Sequence, residues 1–289
     1  MTDTSLALAA GCHLDRYTLL RVLNEGGFGV IYLAQEDVTE RLVVIKEYLP
    51  SKLACRDDTR QVLVRADADV ELFRQGRRAF FQEAAVLAAL DHPNIVKVIH
   101  FFQANETVYF VMNYEQGVTL RSIIKKARQP LLEGFLRRIF EPILSGLAEV
   151  HHRQLLHLDI KPSNIYIRDD GRPLLIDFGA VYNLLSGPRN PASNVVSQGF
   201  SPKEQVYAGM EIGTWTDIYA LGATLRASIE GKSPPPVKNR LKKDPLIPLA
   251  ELYVDQYTPA FLRAIDAAMR VDPELRPQTI TVFRSLLFD

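Results

Sequence analysis

The chain has 289 residues, 47% hydrophobic and 24% charged, which suits one or two globular domains with a substantial core and excludes a disordered chain. Lys plus Arg and Asp plus Glu each number 34, so no net field draws it toward nucleic acid or an anionic membrane, and neither partner is expected. Two cysteines, Cys12 and Cys55, form neither a disulfide framework nor a metal-ligand spacing, so a reducing, cytoplasmic setting is expected.

The N-terminus carries Asp3 and no basic residue before Arg16, unlike the charged start of a signal peptide. No apolar run in the chain approaches the ~18 residues of a membrane span. Tyr17 to Leu23 and Val30 to Ala34 read as two β-strands around Asn24-Glu25-Gly26-Gly27-Phe28-Gly29. Glycines let backbone amides approach a phosphate, although any hairpin turn favours them too. Leu42-Val43-Val44-Ile45-Lys46 is a β-branched run ending in a cation, a buried strand from which one Lys reaches an anion. Phe80 to Leu90 reads as a helix with Phe80, Ala84, Leu87 and Leu90 on one face, which sets Glu83 beside that stripe. The long insert between Lys46 and Glu83 holds a charged stretch and a strand from Gln61 to Arg65. Two roles fit it: surface elaboration, or control of the helix that bears Glu83.

Two further strands, Val96 to Gln103 and Thr107 to Met112, are joined by the turn Ala104-Asn105-Glu106, and strand pattern is lost from Asn113 to Gly117. From Leu120 the chain turns helical, with Leu136, Ile139, Phe140, Ile143, Leu144, Leu147 and Val150 at 3.6-residue spacing. Pro142 is predicted to kink that helix. His151 and His152 face different ways on it, so each is assigned to packing or solvent and neither to a metal.

The most informative stretch is His157-Leu158-Asp159-Ile160-Lys161-Pro162-Ser163-Asn164, followed by Asp177-Phe178-Gly179. Its spacing suits one base and two metal ligands around a phosphate. Ile165 to Ile167 and Pro173 to Ile176 read as strands about an Asp169-Asp170-Gly171 turn, a hairpin that brings Asn164 close to Asp177. Ala180 to Gly199 has little periodicity, and Gly199-Phe200-Ser201-Pro202-Lys203-Glu204 and Trp215 to Gly222 follow.

These motifs resemble the protein-kinase superfamily, whose catalytic loop and Asp-Phe-Gly signature they share. Lys161-Pro162 looks like the serine/threonine type, and Ile45-Lys46-Glu47-Tyr48-Leu49-Pro50-Ser51 is similar to bacterial kinases of proteobacterial type. The resemblance implies an α+β, two-lobed protein-kinase fold, with a small β-rich N-lobe carrying one long helix, a larger, mostly α-helical C-lobe, and ATP in the cleft. Residues 1–13 would form an extension and 14–289 the kinase domain, divided into N-lobe 14–112, hinge 113–117 and C-lobe 118–289. The end of the chain soon after Arg276 is expected to leave no room for a separate sensor domain.

Implied by the same resemblance is transfer of the ATP γ-phosphoryl group to Ser or Thr of a protein substrate, with Mg²⁺ or Mn²⁺. Asp159 would take the hydroxyl proton, Lys161 steady the phosphoryl group, and Asn164 and Asp177 hold the metal. Lys46, held by Glu83, would pair with the phosphates. Leu23, Asn24, Gly26, Gly27, Phe28, Gly29, Ile31, Val44, Met112, Asn113, Glu115 and Tyr166 would surround the nucleotide. Ser197 would bridge Asp159 and Lys161, Glu204 would pair with Arg276, and Asp217 would brace the catalytic-loop backbone.

Asn24 stands where the family has its first glycine, a mild departure because Asn tolerates left-handed backbone. Val44 replaces an adenine-facing Ala, and Tyr166 an apolar floor. Leu158 replaces the Arg that binds an activation-segment phosphate, so activity is expected to depend on Ser197 but not on Ser186 or Ser193. Two rivals stand beside this reading: a pseudokinase scaffold, and a small-molecule kinase of the aminoglycoside-phosphotransferase kind.

Overall fold

Alternation along Leu42–Tyr48 sets the plan of the first half of the molecule. Val43, Ile45 and Glu47 are buried while Val44 and Lys46 are half-buried, as a strand covered unequally on its two faces requires. In the computed structural model, which describes residues 6–27, 29–184 and 196–289, this strand lies inside the first of two compact units. Unit 1 comprises Met1–Asp91 and Val96–Glu115, and unit 2 His92–Ile95 and Gln116–Asp289.

Unit 1 is built on an antiparallel sheet of β1 (His13–Leu14), β2 (Tyr17–Gly26), β3 (Gly29–Glu36), β4 (Leu42–Tyr48), β7 (Val98–Ala104) and β8 (Thr107–Asn113), in the order β1-β2-β3-β4-β8-β7. A hairpin of β5 (Ala54–Arg56) and β6 (Val62–Val64) occupies the insert. Helix α1 (Val70–Ala89) buries Phe73, Phe80, Glu83, Ala84 and Leu87. It begins ten residues before the expected Phe80, because Glu71 to Arg78 is rich in polar helix formers that carry little apolar period. Residues 6–14 are built into this unit: Leu8 is buried, the Gly11 amide donates to the Leu19 carbonyl, and the Leu19 amide donates to the Cys12 carbonyl.

Strand β7 starts at Val98 rather than Val96; the segment His92–Ile95 ahead of it belongs to unit 2, where Ile95 bridges Leu175 in parallel and Asn94 donates its side-chain amide to the Pro173 carbonyl at 2.8 Å. Unit 2 opens with β9 (Gly117–Thr119) and α2 (Leu120–Lys126), capped by Thr119. Helix α3 (Glu133–His152) continues through Pro142 and buries each of the seven apolar residues named from its periodicity. Then come β10 (Leu155–Leu156), β11 (Ile165–Arg168), β12 (Pro173–Leu175) and β13 (Tyr182–Asn183). Short α4 (Lys203–Val206) precedes α5 (Thr214–Glu230), whose residues from Thr216 to Ile229 are all buried, making it the spine of the unit. The chain closes with α6 (Val237–Arg240), α7 (Leu249–Leu252), α8 (Pro259–Ala268) and α9 (Ile280–Phe288). Among the described residues no helix is long and apolar enough to cross a membrane.

Candidate active site

In unit 1 one sheet face carries the predicted nucleotide residues. Ile31 lies opposite Lys46 in the β3–β4 pairing, and Val44 opposite Met112 in the β4–β8 pairing. Leu23, Ile31, Val44 and Met112 are all half-buried, a partly open apolar surface on which Lys46 also projects. Lys46 Nζ meets Glu83 Oε1 at 2.9 Å and lies 5.3 Å and 5.7 Å from the ring centres of Phe110 and Phe80. The strand supplies the ammonium and the helix its counter-charge. Asn24 occupies β2 opposite Ile31 in strand conformation, so the left-handed backbone that Asn would tolerate is not used there. Gly26 ends β2 opposite Gly29, and Gly27 begins the turn. Gly29 has a separate reason to lack a side chain, because a Cβ there would collide with the Glu47 carbonyl oxygen. Phe28 lies outside the described residues. Asn113 ends β8, and Glu115 closes the unit in irregular backbone.

In unit 2 the chemistry-bearing groups lie on loops. Asp159 Oδ1 accepts from Ser197 Oγ at 2.6 Å, and its Oδ2 accepts from Lys161 Nζ at 2.7 Å and Asn164 Nδ2 at 3.0 Å. Lys161 also donates to Ser197 Oγ at 3.1 Å. Asn164 Nδ2 further donates to the Asp159 carbonyl, which fixes the amide and leaves its oxygen as the acceptor end. The β11–β12 hairpin forms as expected, and the Ile176 amide donates to the Asn164 carbonyl at 2.9 Å, so the chain enters Asp177 beside Asn164. Tyr166, on β11, donates to the Gly117 carbonyl at 2.8 Å.

This backbone is held in unfavourable conformations. Leu158 and Asp177 have φ of 60° and 63°, left-handed values that cost a non-glycine residue about 1–3 kcal/mol. Side chains from below hold Leu158 there. Asp217, at the start of α5, accepts from the amides of His157 and Leu158 at 2.9 and 2.8 Å, and Gln205 donates to the Leu158 carbonyl at 2.6 Å. His151 Nε2 meets Asp217 Oδ2 at 2.8 Å. Burial alone would push the Asp217 carboxyl up, but the His151 contact and the donors from His157 hold it below the usual carboxylate range. Complete burial pushes the His157 imidazole down, toward its neutral form. Its ring lies 4.4 Å from that of buried Phe178.

Glu204 and Arg276 form a wholly buried pair at 2.5 Å. Leu158 has its side chain in an apolar cluster with Leu156 and Ala180, against which Tyr182, Leu184 and Ile212 pack, and β13 pairs with β10 beside it. Ser186 and Ser193 lie outside the described residues.

Sequence reasoning does not reach the partners of His151 and Gln205, which are Asp217 and the Leu158 carbonyl. The assignment of His151 and His152 to packing or solvent agrees with the contact of His151 to Asp217, but nothing local marks which of the two faces inward. Gln205 carried no signal of its own beyond lying next to Glu204.

A signature described as the protein kinase domain matches residues 17–285. The chain is 34% identical over 222 residues to the serine/threonine-protein kinase PrkC of Bacillus subtilis, an alignment spanning 76% of this chain and 31% of that protein. It is 30% identical over 273 residues to the serine/threonine-protein kinase PknA of a Nostoc species, spanning 91% of this chain and 45% of that one. It thus spans less than half the length of these curated relatives. A solved structure named "PpkA-294 apo form" superposes with a TM-score of 0.87 at 35% identity, covering 98% of this chain and all of that one. With the signature matched across nearly its whole length and the two-lobed protein-kinase fold shared with that structure, the chain belongs to the protein kinase family.

Proposed function

We propose that this protein is a serine/threonine protein kinase that transfers the γ-phosphoryl group of ATP to Ser or Thr hydroxyls of a protein, acting in the cytoplasm. The observation that carries the reading is Asp159, whose two carboxylate oxygens are ordered by Ser197, Lys161 and Asn164. A carboxylate so oriented takes the proton as the substrate oxygen attacks the γ-phosphorus. The bond from that phosphorus to the β,γ-bridging oxygen breaks, and ADP departs with the electron pair. Lys161 offsets charge on the transferring group.

For the nucleotide, the half-buried surface of Leu23, Ile31, Val44 and Met112 suits a flat apolar base, and Lys46, Gly26 and Gly27 suit its phosphates. For the metal, Asn164 and Asp177 offer the hard oxygen donors that Mg²⁺ takes, one carboxylate and one amide, with phosphates and waters completing its shell. Mn²⁺ accepts the same donors. The ion would neutralise charge on the phosphates when bound.

The same reading makes activity independent of activation-segment phosphate. The apolar cluster around Leu158 supports this, since it supplies by packing what an Arg–phosphate contact supplies elsewhere. Alanine at Ser186 or Ser193 leaves the rate unchanged, whereas Ser197→Ala lowers it. A large loss at Ser186 or Ser193 that an acidic substitute restores contradicts the independence. The activity itself is tested by ADP release that requires both a protein acceptor and Mg²⁺. A chain that binds ATP without turnover would be a scaffold, and turnover with small-molecule hydroxyls alone would make it a different kind of kinase.

A further inference from the structure

Next to Lys46 on β4, Glu47 points to the opposite sheet face and is fully buried. Its carboxylate accepts from Tyr32 Oη at 2.6 Å, from Tyr109 Oη at 2.5 Å and from Arg56 Nη2 at 2.5 Å. Tyr32 and Tyr109 stand on β3 and β8, the strands that flank β4, so one carboxylate ties the end of the Lys46 strand to both neighbours. Arg56 belongs to β5 of the insert. Its Nε donates to the Leu6 carbonyl at 2.8 Å, and the Leu8 amide donates to Tyr32 Oη at 3.0 Å, so the residues before β1 close the same network.

A buried ion pair is a poor way to stabilise a sheet, because apolar residues of equal volume commonly do as well or better. What it provides is a fixed register, since each donor has one place to go. The insert also reaches the other partner of the ion pair. After β6 the chain enters α1 through residues 67–69, and α1 bears Glu83. That helix packs on Tyr48, two residues beyond Lys46, through Phe73 and Phe80 at ring distances of 5.2 and 5.7 Å. A Cβ at Gly76 would collide with the Tyr48 hydroxyl. Arg56 therefore acts on the strand that carries the ammonium, while the far end of the same insert leads into the helix that carries its counter-charge.

We propose that Arg56, acting through Glu47, is a positioning residue for phosphoryl transfer: the insert fixes the end of β4 so that Lys46 is presented correctly to Glu83 and to the phosphates of ATP. The proposal rests on the kinase reading and assigns the insert a part in it. Small displacements of a positioning group cost up to about a hundredfold in rate.

The test uses the full chain and compares wild type, Arg56→Gln, Arg56→Lys and the double variant Glu47→Gln/Arg56→Gln. Steady-state constants for ATP and for a peptide acceptor are measured separately, each variant well below its own melting midpoint. Arg56→Gln is expected to lower kcat/KM for ATP about tenfold while KM for the peptide stays at the wild-type value, and Arg56→Lys to recover part of the loss. The double variant leaves neither charge buried alone, so it melts closer to wild type yet keeps the defect toward ATP. It carries the test if Arg56→Gln does not fold. Wild-type kcat/KM for ATP in these variants, or KM values for ATP and peptide that rise together, overturns the proposal. Lys46→Met, run alongside, separates the two readings: full activity in it overturns the kinase assignment of Lys46 and the role of Arg56 with it, whereas an inactive Lys46→Met beside wild-type kcat/KM for ATP in Arg56→Gln overturns the role of Arg56 alone.

Discussion

The two units hold the side chains proposed for phosphoryl transfer by opposite means. In unit 1, Lys46 and Glu83 project from a regular strand and a regular helix, where ladder and helix bonds already fix the backbone. In unit 2, Asp159, Lys161, Asn164 and Asp177 sit on loops, with left-handed residues at 158 and 177, and a buried carboxylate from α5 holds the backbone at 157 and 158. Regular structure lets a functional side chain change at little cost to the fold. On irregular backbone the brace serves fold and chemistry together, and the two cannot be varied independently.

The largest effect that would sharpen this contrast belongs to Asp217→Ala. It strips the partner from two backbone amides and from His151 inside the core, and costs about 3–5 kcal/mol together with most of the activity. Thermal melting and phosphotransfer rates measured on one preparation check both. A variant that lost activity yet melted like wild type would break the comparison. Glu83→Gln is next: phosphotransfer falls about tenfold, with a drop in melting temperature well below that of Asp217→Ala. The smallest effect is on pH dependence. The folded-state pKa of His157 lies below the ordinary value, so protonation favours the unfolded chain. Its contribution is complete above about pH 6.5 and is lost as the pH falls below that. Asp217, whose folded pKa is also lowered, contributes above the ordinary carboxylate range and loses that contribution as pH falls through and below it. Melting temperature should therefore decline gently from about pH 6.5 downward and more steeply below about pH 4. His157→Phe should flatten the first part alone.

Much of this was legible in the chain. The alternation of Leu42 to Lys46, the stripe of Phe80, Ala84 and Leu87, and the seven apolar residues of α3 each announced a buried face, because burial imposes a period on sequence. The catalytic loop was legible because its residues lie within a few positions of one another. The first half of α1 was hidden by its charge. The Glu47 network joins residues 6, 32, 47, 56 and 109, and no local pattern links such distant positions. What sequence did offer there was the place of Glu47, next to Lys46 and hence on the other face of the same strand.

Asp159 carries the proposed chemistry, and the most direct test of it is phosphotransfer by wild type and Asp159→Asn. Both are incubated with ATP, Mg²⁺ and a mixture of Ser- and Thr-containing protein acceptors, with ADP quantified and phosphosites mapped by mass spectrometry. Wild type should yield phosphoserine or phosphothreonine in step with ADP, and Asp159→Asn should lower the rate by about 10²–10⁴ with its melting temperature nearly unchanged. Equal rates for the two proteins, or no phosphate on any protein hydroxyl from wild type, would contradict it.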